Sequence, residues 1–216
     1  MAAAALLAAC GGESSSDANE PSGTYRVQVT ESTFPTKQRL GQTSLLKLGV
    51  RNSGKKAVPA LTVTITIAGK AGRSSSLPFG VRDPQVGLAG ADRPVWVLSE
   101  TYPRLVGSSE PGGATTSNRK TFSFGPLKPG KSVAAVWKLS AVKAGHFTLL
   151  YRIGAGLDSG VEAETDGGVT PGGSFATEIT QELPETEVTD GGEVVEIPPP
   201  RGATGNSGEP ELQIIR

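Results

Sequence analysis

The chain has 216 residues, with 21 Lys+Arg balanced by 21 Asp+Glu, one His, one Cys and one Met. A single Cys excludes an intrachain disulfide and a cysteine-rich zinc site, and a single His excludes any centre built from two or three imidazoles. Counting glycine in place of tyrosine raises the apolar share to about 48%, inside the globular range, while 29 Gly and 16 Pro interrupt helical runs throughout, so a folded core without long helices is expected.

Residues 2–9 are small and apolar, and Cys10 and a polar stretch follow them with no hydrophobic continuation. A run this short is a processing signal, because a membrane span needs about 20 apolar residues. Leu7-Ala8-Ala9-Cys10 resembles the bacterial lipoprotein lipobox, where cleavage before the Cys accompanies attachment of a diacylglycerol thioether. The resemblance implies that residues 1–9 are a signal-peptide remnant and that Cys10 carries the lipid. Residues 10–23 would then be a flexible tether, holding an extracytoplasmic protein at the cell membrane. No Lys or Arg precedes the apolar run, so the signal peptide is expected to start upstream of Met1. Two acyl chains anchor stably where one is marginal, and a tether of this length reaches only about 20 Å.

Residues 24–180 hold nearly all the aromatic and β-branched residues. Tyr25–Val29 alternates, and Leu46, Leu48 and Val50 alternate with Lys47, Gly49 and Arg51. Leu61, Val63, Ile65 and Ile67 alternate with threonines, the cleanest period-two run in the chain. Val95–Leu98 is a short apolar run, and Phe122 and Phe124 share a parity. Further stripes follow at Val133, Ala135, Trp137 and Leu139, at Phe147, Leu149, Tyr151 and Ile153, and at Phe175, Thr177 and Ile179. Turn signals separate them. Asn52-Ser53-Gly54-Lys55 reads as a tight connection between two strands, and Pro129-Gly130 and Ala144-Gly145 bracket the Trp137 strand, whose Trp reads as core. One wet and one packed face per strand suits antiparallel sheets. The pattern predicts an all-β, immunoglobulin-like antiparallel β-sandwich of about seven to nine strands. A Gly/Ser/Pro-rich insertion at 68–118 carries the Trp96 run as an edge addition or a loop excursion. Residues 181–216 lack aromatics and carry 2 basic against 8 acidic groups, which predicts a disordered acidic tail.

The stretches VRNSGKKAVPALTVTI (50–65) and GPLKPGKSVAAVWKLSAVKAGHFTLLYRI (125–153) resemble the bacterial immunoglobulin-like domains described as cell-adhesion-related, or CARDB-type. The resemblance rests on the Asn-x-Gly hairpin between two strands, on Leu127-Lys128-Pro129-Gly130, on Trp137 and on Gly145-His146-Phe147-Thr148-Leu149. It implies an extracellular interaction or spacer module and carries over no ligand residues or cofactor.

Candidate chemistry is sparse. His146 could act as a general base, but no Gly-x-Ser-x-Gly elbow accompanies it, so it reads as an exposed residue at a turn edge. Ser74-Ser75-Ser76 reads as loop. The segment Gly154–Gly160 lacks dinucleotide-fingerprint spacing and reads as a strand end followed by a turn. Asp158, Glu162, Glu164 and Asp166 offer hard oxygens suited to calcium, yet their alternation fits a wet strand face equally well, and no metal or cofactor is assigned. Trp96, Tyr102 and Phe79 in the insertion are the candidate ligand surface, since exposed rings stack on sugars; the alternative is that they pin a long loop to the sandwich.

Residues 24–180 hold 19 basic and 10 acidic groups, a net +9 hidden by the acidic termini. Charge of that sign favours an anionic envelope polymer or another surface protein as partner, or the chain's own tail folding back. Nucleic acid is not expected at that location. The leading expectation is a non-catalytic, lipid-anchored binding or spacer module. The alternatives are a carbohydrate or cell-wall polymer binder using 68–118, and a subunit of an envelope complex. An enzyme is disfavoured.

Overall fold

The computed structural model describes residues 21–68, 79–80, 94–108, 112–115, 120–157, 160–182, 186–192 and 194–196. Cys10, Ser74–Ser76, Asp158 and most of the leader, insertion and tail lie outside them. Every regular element among the described residues is a strand, and no helix long and apolar enough to cross a membrane occurs there.

The first sheet has seven strands. They are β1 (Gly23–Thr33), β3 (Thr43–Asn52), β5 (Phe79–Gly80), β6 (Trp96–Leu98), β7 (Arg104–Leu105), β10 (Ser132–Ala141) and β12 (Val161–Glu164). Their order is β12-β1-β3-β10-β6-β5, with β7 also on β10. The second sheet runs β2-β13-β11-β4-β9-β8. Here β2 is Lys37–Arg39, β4 Thr62–Ile67, β8 Ala114–Thr115, β9 Thr121–Ser123, β11 Gly145–Gly154 and β13 Gly172–Thr180.

The two sheets form a sandwich because each long strand is greasy on one parity. Leu46, Leu48 and Val50 of β3, Ala135, Trp137 and Leu139 of β10, Val63, Ile65 and Ile67 of β4, and Leu149, Tyr151 and Ile153 of β11 are all buried between them. Aromatic rings join the sheets across this interior. Trp96 meets Phe147 at 6.1 Å and Phe34 at 5.4 Å, and Trp137 meets Phe122 at 5.7 Å and Phe124 at 5.6 Å, all edge-to-face. Such pairs contribute about 0.5–1.5 kcal/mol each beyond their buried area.

Three details differ from the sequence reading. The long ladders are antiparallel, but the short pairs β1–β12, β2–β13 and β5–β6 are parallel, so both sheets are mixed. Two to four residues leave too little alternation to reveal direction. The Asn52–Lys55 turn does not close a hairpin; it carries the chain out of the first sheet and into the second, since β3 and β4 lie in different sheets. Finally, part of the acidic tail is ordered: β14 (Thr186–Val188) and β15 (Val194–Glu196) pair as an antiparallel hairpin around Thr189, Asp190, Gly191 and Gly192. A tight Gly-containing turn between β-branched residues supplies the local drive that net charge does not show.

Candidate functional site

The three aromatics expected to form a ligand surface do not form one. Trp96 is fully buried and Phe79 is 4% exposed, side by side in β6 and β5. The Trp96 indole N–H donates to the Gln38 amide oxygen at 2.9 Å, which satisfies a donor that burial would otherwise leave stranded. Tyr102 is half-buried, with the Arg104 guanidinium 4.5 Å above its ring. The insertion therefore uses its large rings to complete the core. All six Phe and both Trp make ring contacts inside the sandwich, so no coplanar platform for a sugar remains from the residues proposed.

The other candidates are similarly placed. His146 is exposed on the outer face of β11, opposite Glu178, which in turn stands opposite Lys37. Gly154 ends β11 where an added Cβ would strike the Thr62 hydroxyl, and Ala155 turns inward and is buried. Glu162 and Glu164 alternate with buried Val161 and Ala163 on an edge strand. The Asp166 carboxylate accepts from the Ser53 hydroxyl at 3.0 Å, and its carbonyl accepts from Arg26. Among the described residues no three His, Cys, Asp or Glu side chains gather as a metal would require.

What the fold does gather is positive charge, and a buried asparagine does the gathering. Asn52 closes β3 and is wholly inaccessible. Its amide group donates to the Lys56 carbonyl and to the Leu127 carbonyl, each at 2.8 Å, while its side-chain oxygen accepts the Gly54 N–H at 2.9 Å. Its backbone N–H donates to the Lys131 carbonyl, and its carbonyl accepts from Gly130. One side chain thus locks the 52–56 loop against the 127–131 loop, 75 residues further on. The bridge Val58–Leu127, two buried apolar residues, seals the seam from below. Gly130, at φ 70°, makes the second turn possible.

The outcome is a cluster of exposed cations at this end of the sandwich: Arg51, Lys55, Lys56, Lys128 and Lys131. The only ion pair among the described residues is the distant, exposed Arg39–Glu182 contact at 4.0 Å. The outer face of the first sheet continues the charge. Lys47 lies two residues before Gly49 on the same outward parity as Arg51, and Lys138 stands opposite Leu45. Glu31, at a bulge in β1, is the one carboxylate whose register places it beside Gly49 on that face. The sequence reading registered the net charge and both turns, but not that the turns are neighbours. The signal available was the repeated Gly-Lys pair, Gly54-Lys55-Lys56 and Gly130-Lys131.

No protein-family model matches the chain, and no curated protein matches it. Among solved structures it is similar to a CARDB domain of a Pyrococcus furiosus protein in complex with di-metal ions, with 12% identity, 78% of this chain and 100% of that one covered, and a TM-score of 0.41. It is also similar to the ASH / PapD-like domain of human CEP192, with 12% identity, coverage of 85% and 99%, and a TM-score of 0.39. The bacterial hydrophobin BslA shows 10% identity, coverage of 76% and 98%, and a TM-score of 0.37. At that level of likeness neither ligand nor activity transfers.

Proposed function

We propose that the protein is a non-catalytic binding module of the cell envelope, lipid-anchored through Cys10, that docks an anionic envelope polymer on the basic loop end. The observation that carries the reading is the Asn52 amide, which holds Lys55 and Lys56 beside Lys128 and Lys131, with no carboxylate among the described residues paired to them. Like charges held together by buried hydrogen bonds repel one another, and an anionic partner removes that cost. Each well-placed Lys or Arg near an anionic surface contributes about 1 kcal/mol, screened over about 8 Å at physiological salt. A tether of residues 10–23 keeps such a patch within reach of polymers close to the bilayer.

The test is retention of the full chain on linear polyphosphate at low salt, compared with the K55E/K56E/K128E/K131E variant. The expected result is salt-sensitive binding by the natural protein and loss of about tenfold or more in the variant, with an unchanged melting temperature, because all four side chains are exposed. Equal binding by both proteins, or none by the natural one, overturns the reading. Binding to phosphatidylglycerol vesicles but not to polyphosphate would replace a polymer partner with the membrane surface. Mass spectrometry of membrane extracts tests the anchor separately, through the mass added at Cys10.

A further inference from the structure

Beyond the basic loop end, one sheet edge is left open. Strand β13 pairs with β11 along its whole length, from Gly172–Arg152 to Ile179–Gly145. On its other side β2 covers only Glu178, Ile179 and Thr180. The direction of the backbone groups can be read from the hydrogen bonds at each end. The Pro171 carbonyl accepts from Ile153 of β11, whereas the Glu178 N–H donates outward to Thr36 and the Thr180 carbonyl accepts outward from Leu40. Even-numbered residues of β13 therefore point away from the sheet. The N–H and C=O groups of Gly172, Ser174 and Ala176 form an unpaired row, and all three residues are exposed. Among the described residues nothing covers this stretch of the edge. It carries no Lys, no charge and no Pro between Gly172 and Thr177, the devices that normally protect an edge strand.

We infer that this edge pairs with the same edge of a second copy, forming an antiparallel β13–β13 seam across a two-fold axis at Ser174. Three observations select a second copy over a foreign strand. The open stretch carries no charged side chain, so no like charges face each other across a seam of two copies, and a charged peptide finds no countercharge in it. The only in-register pairing that uses all three outward residues is self-complementary: Ser174 faces Ser174, and Gly172 faces Ala176 of the second copy. The pairing stops at one end where β2 already occupies the edge. In the same register Phe175, half-buried between Phe34 and Tyr151, stands opposite Gly173 of the second copy. An aromatic beside a bare edge glycine is a favourable cross-strand match. Gly173 cannot hold a side chain of its own, since a Cβ there would lie 2.7 Å from the Tyr151 hydroxyl.

The test uses the full chain with Cys10→Ser, so that an introduced thiol is the only one. Ser174→Cys places two thiols directly across the two-fold axis, at the Cα spacing a disulfide needs, and Ala176→Cys places them out of register. The expected result is disulfide-linked dimer from S174C about tenfold faster than from A176C under mild oxidation. Equal rates, or no linked dimer from either, overturn the inference. As an independent reading, Ser174→Lys puts like charges face to face, and sedimentation should show it monomeric, with an unchanged circular-dichroism spectrum, where the natural protein dimerises. Dimerisation that survives S174K places the contact elsewhere and also overturns it. Polyphosphate binding by S174K should be intact, which separates this seam from the basic loop end.

Discussion

The indole N–H of Trp96 donates to the side-chain oxygen of Gln38 at 2.9 Å, with both residues buried. Gln38 in turn donates to the Pro35 carbonyl at 3.2 Å. This chain of bonds ties β6 of the first sheet to β2 of the second. Gln38→Leu should therefore leave the indole N–H buried and unpaired, at a cost of about 1–3 kcal/mol. Trp96→Phe should cost less in that background than alone, because there it also removes the stranded donor. Urea unfolding of the two single variants and the double variant measures the coupling between them.

The other tryptophan supplies the contrast. Trp137 is as deeply buried, but its Nε1 has no hydrogen-bond partner. Trp137→Phe should cost only the lost volume and ring contacts, about 1–2 kcal/mol, and less than Trp96→Phe made alone. A larger loss for W137F than for W96F in denaturant titration would show that the Gln38 bond contributes little.

Asn52 should be the least tolerant polar residue described. Asn52→Ala strands the Lys56 carbonyl and removes one of the two bonds held by the Leu127 carbonyl and by the Gly54 N–H, which keep Val58 and Arg26, and should destabilise by about 2 kcal/mol or more. Asn52→Asp should be worse at neutral pH, because it buries a carboxylate against two carbonyl oxygens. Burial and those carbonyls would raise the folded-state pKa of that carboxyl above its unfolded value. The N52D chain is then most stable below the unfolded pKa and loses stability as pH rises through the folded one. Thermal melts of N52D and N52A across pH 4–8 should converge at the acid end.

Gly49 should not accept even alanine. It lies in mid-strand beside the bulge between Val29 and Glu31, where a new Cβ would meet the Thr30 Oγ1 at 2.8 Å and the Glu31 Cβ at 2.9 Å. Gly49→Ala should cost about 1–3 kcal/mol by forcing the bulge away, although alanine has the better strand propensity. Deleting Thr30 to remove the bulge should restore G49A; a melting temperature that does not recover would mean the clash lies elsewhere.

The strands that carry the core were legible because period-two burial is a local property. The stripes at 46–50, 63–67, 133–139, 147–153 and 175–179 lie inside strands whose apolar parity faces inward, and Leu61 is buried just before its strand begins. Trp137 was readable as core for the same reason. Trp96 and Phe79 were not, because their strands have three and two residues and draw their burial from partners far along the chain, Phe34, Phe122 and Phe147. The tail hairpin was missed because net charge outweighed its few β-branched residues.

By itself the sequence determined an all-β sandwich and a basic middle between acidic ends. Alternation, charge and short motifs are written residue by residue. Only the tertiary structure decided that the aromatic insertion fills the interior, that Asn52 welds two lysine-bearing turns into one patch, and that β13 is left half uncovered. Those three depend on which polar groups find partners across 58 to 142 residues of chain, and hydrogen bonds over such separations leave no periodic trace in the sequence.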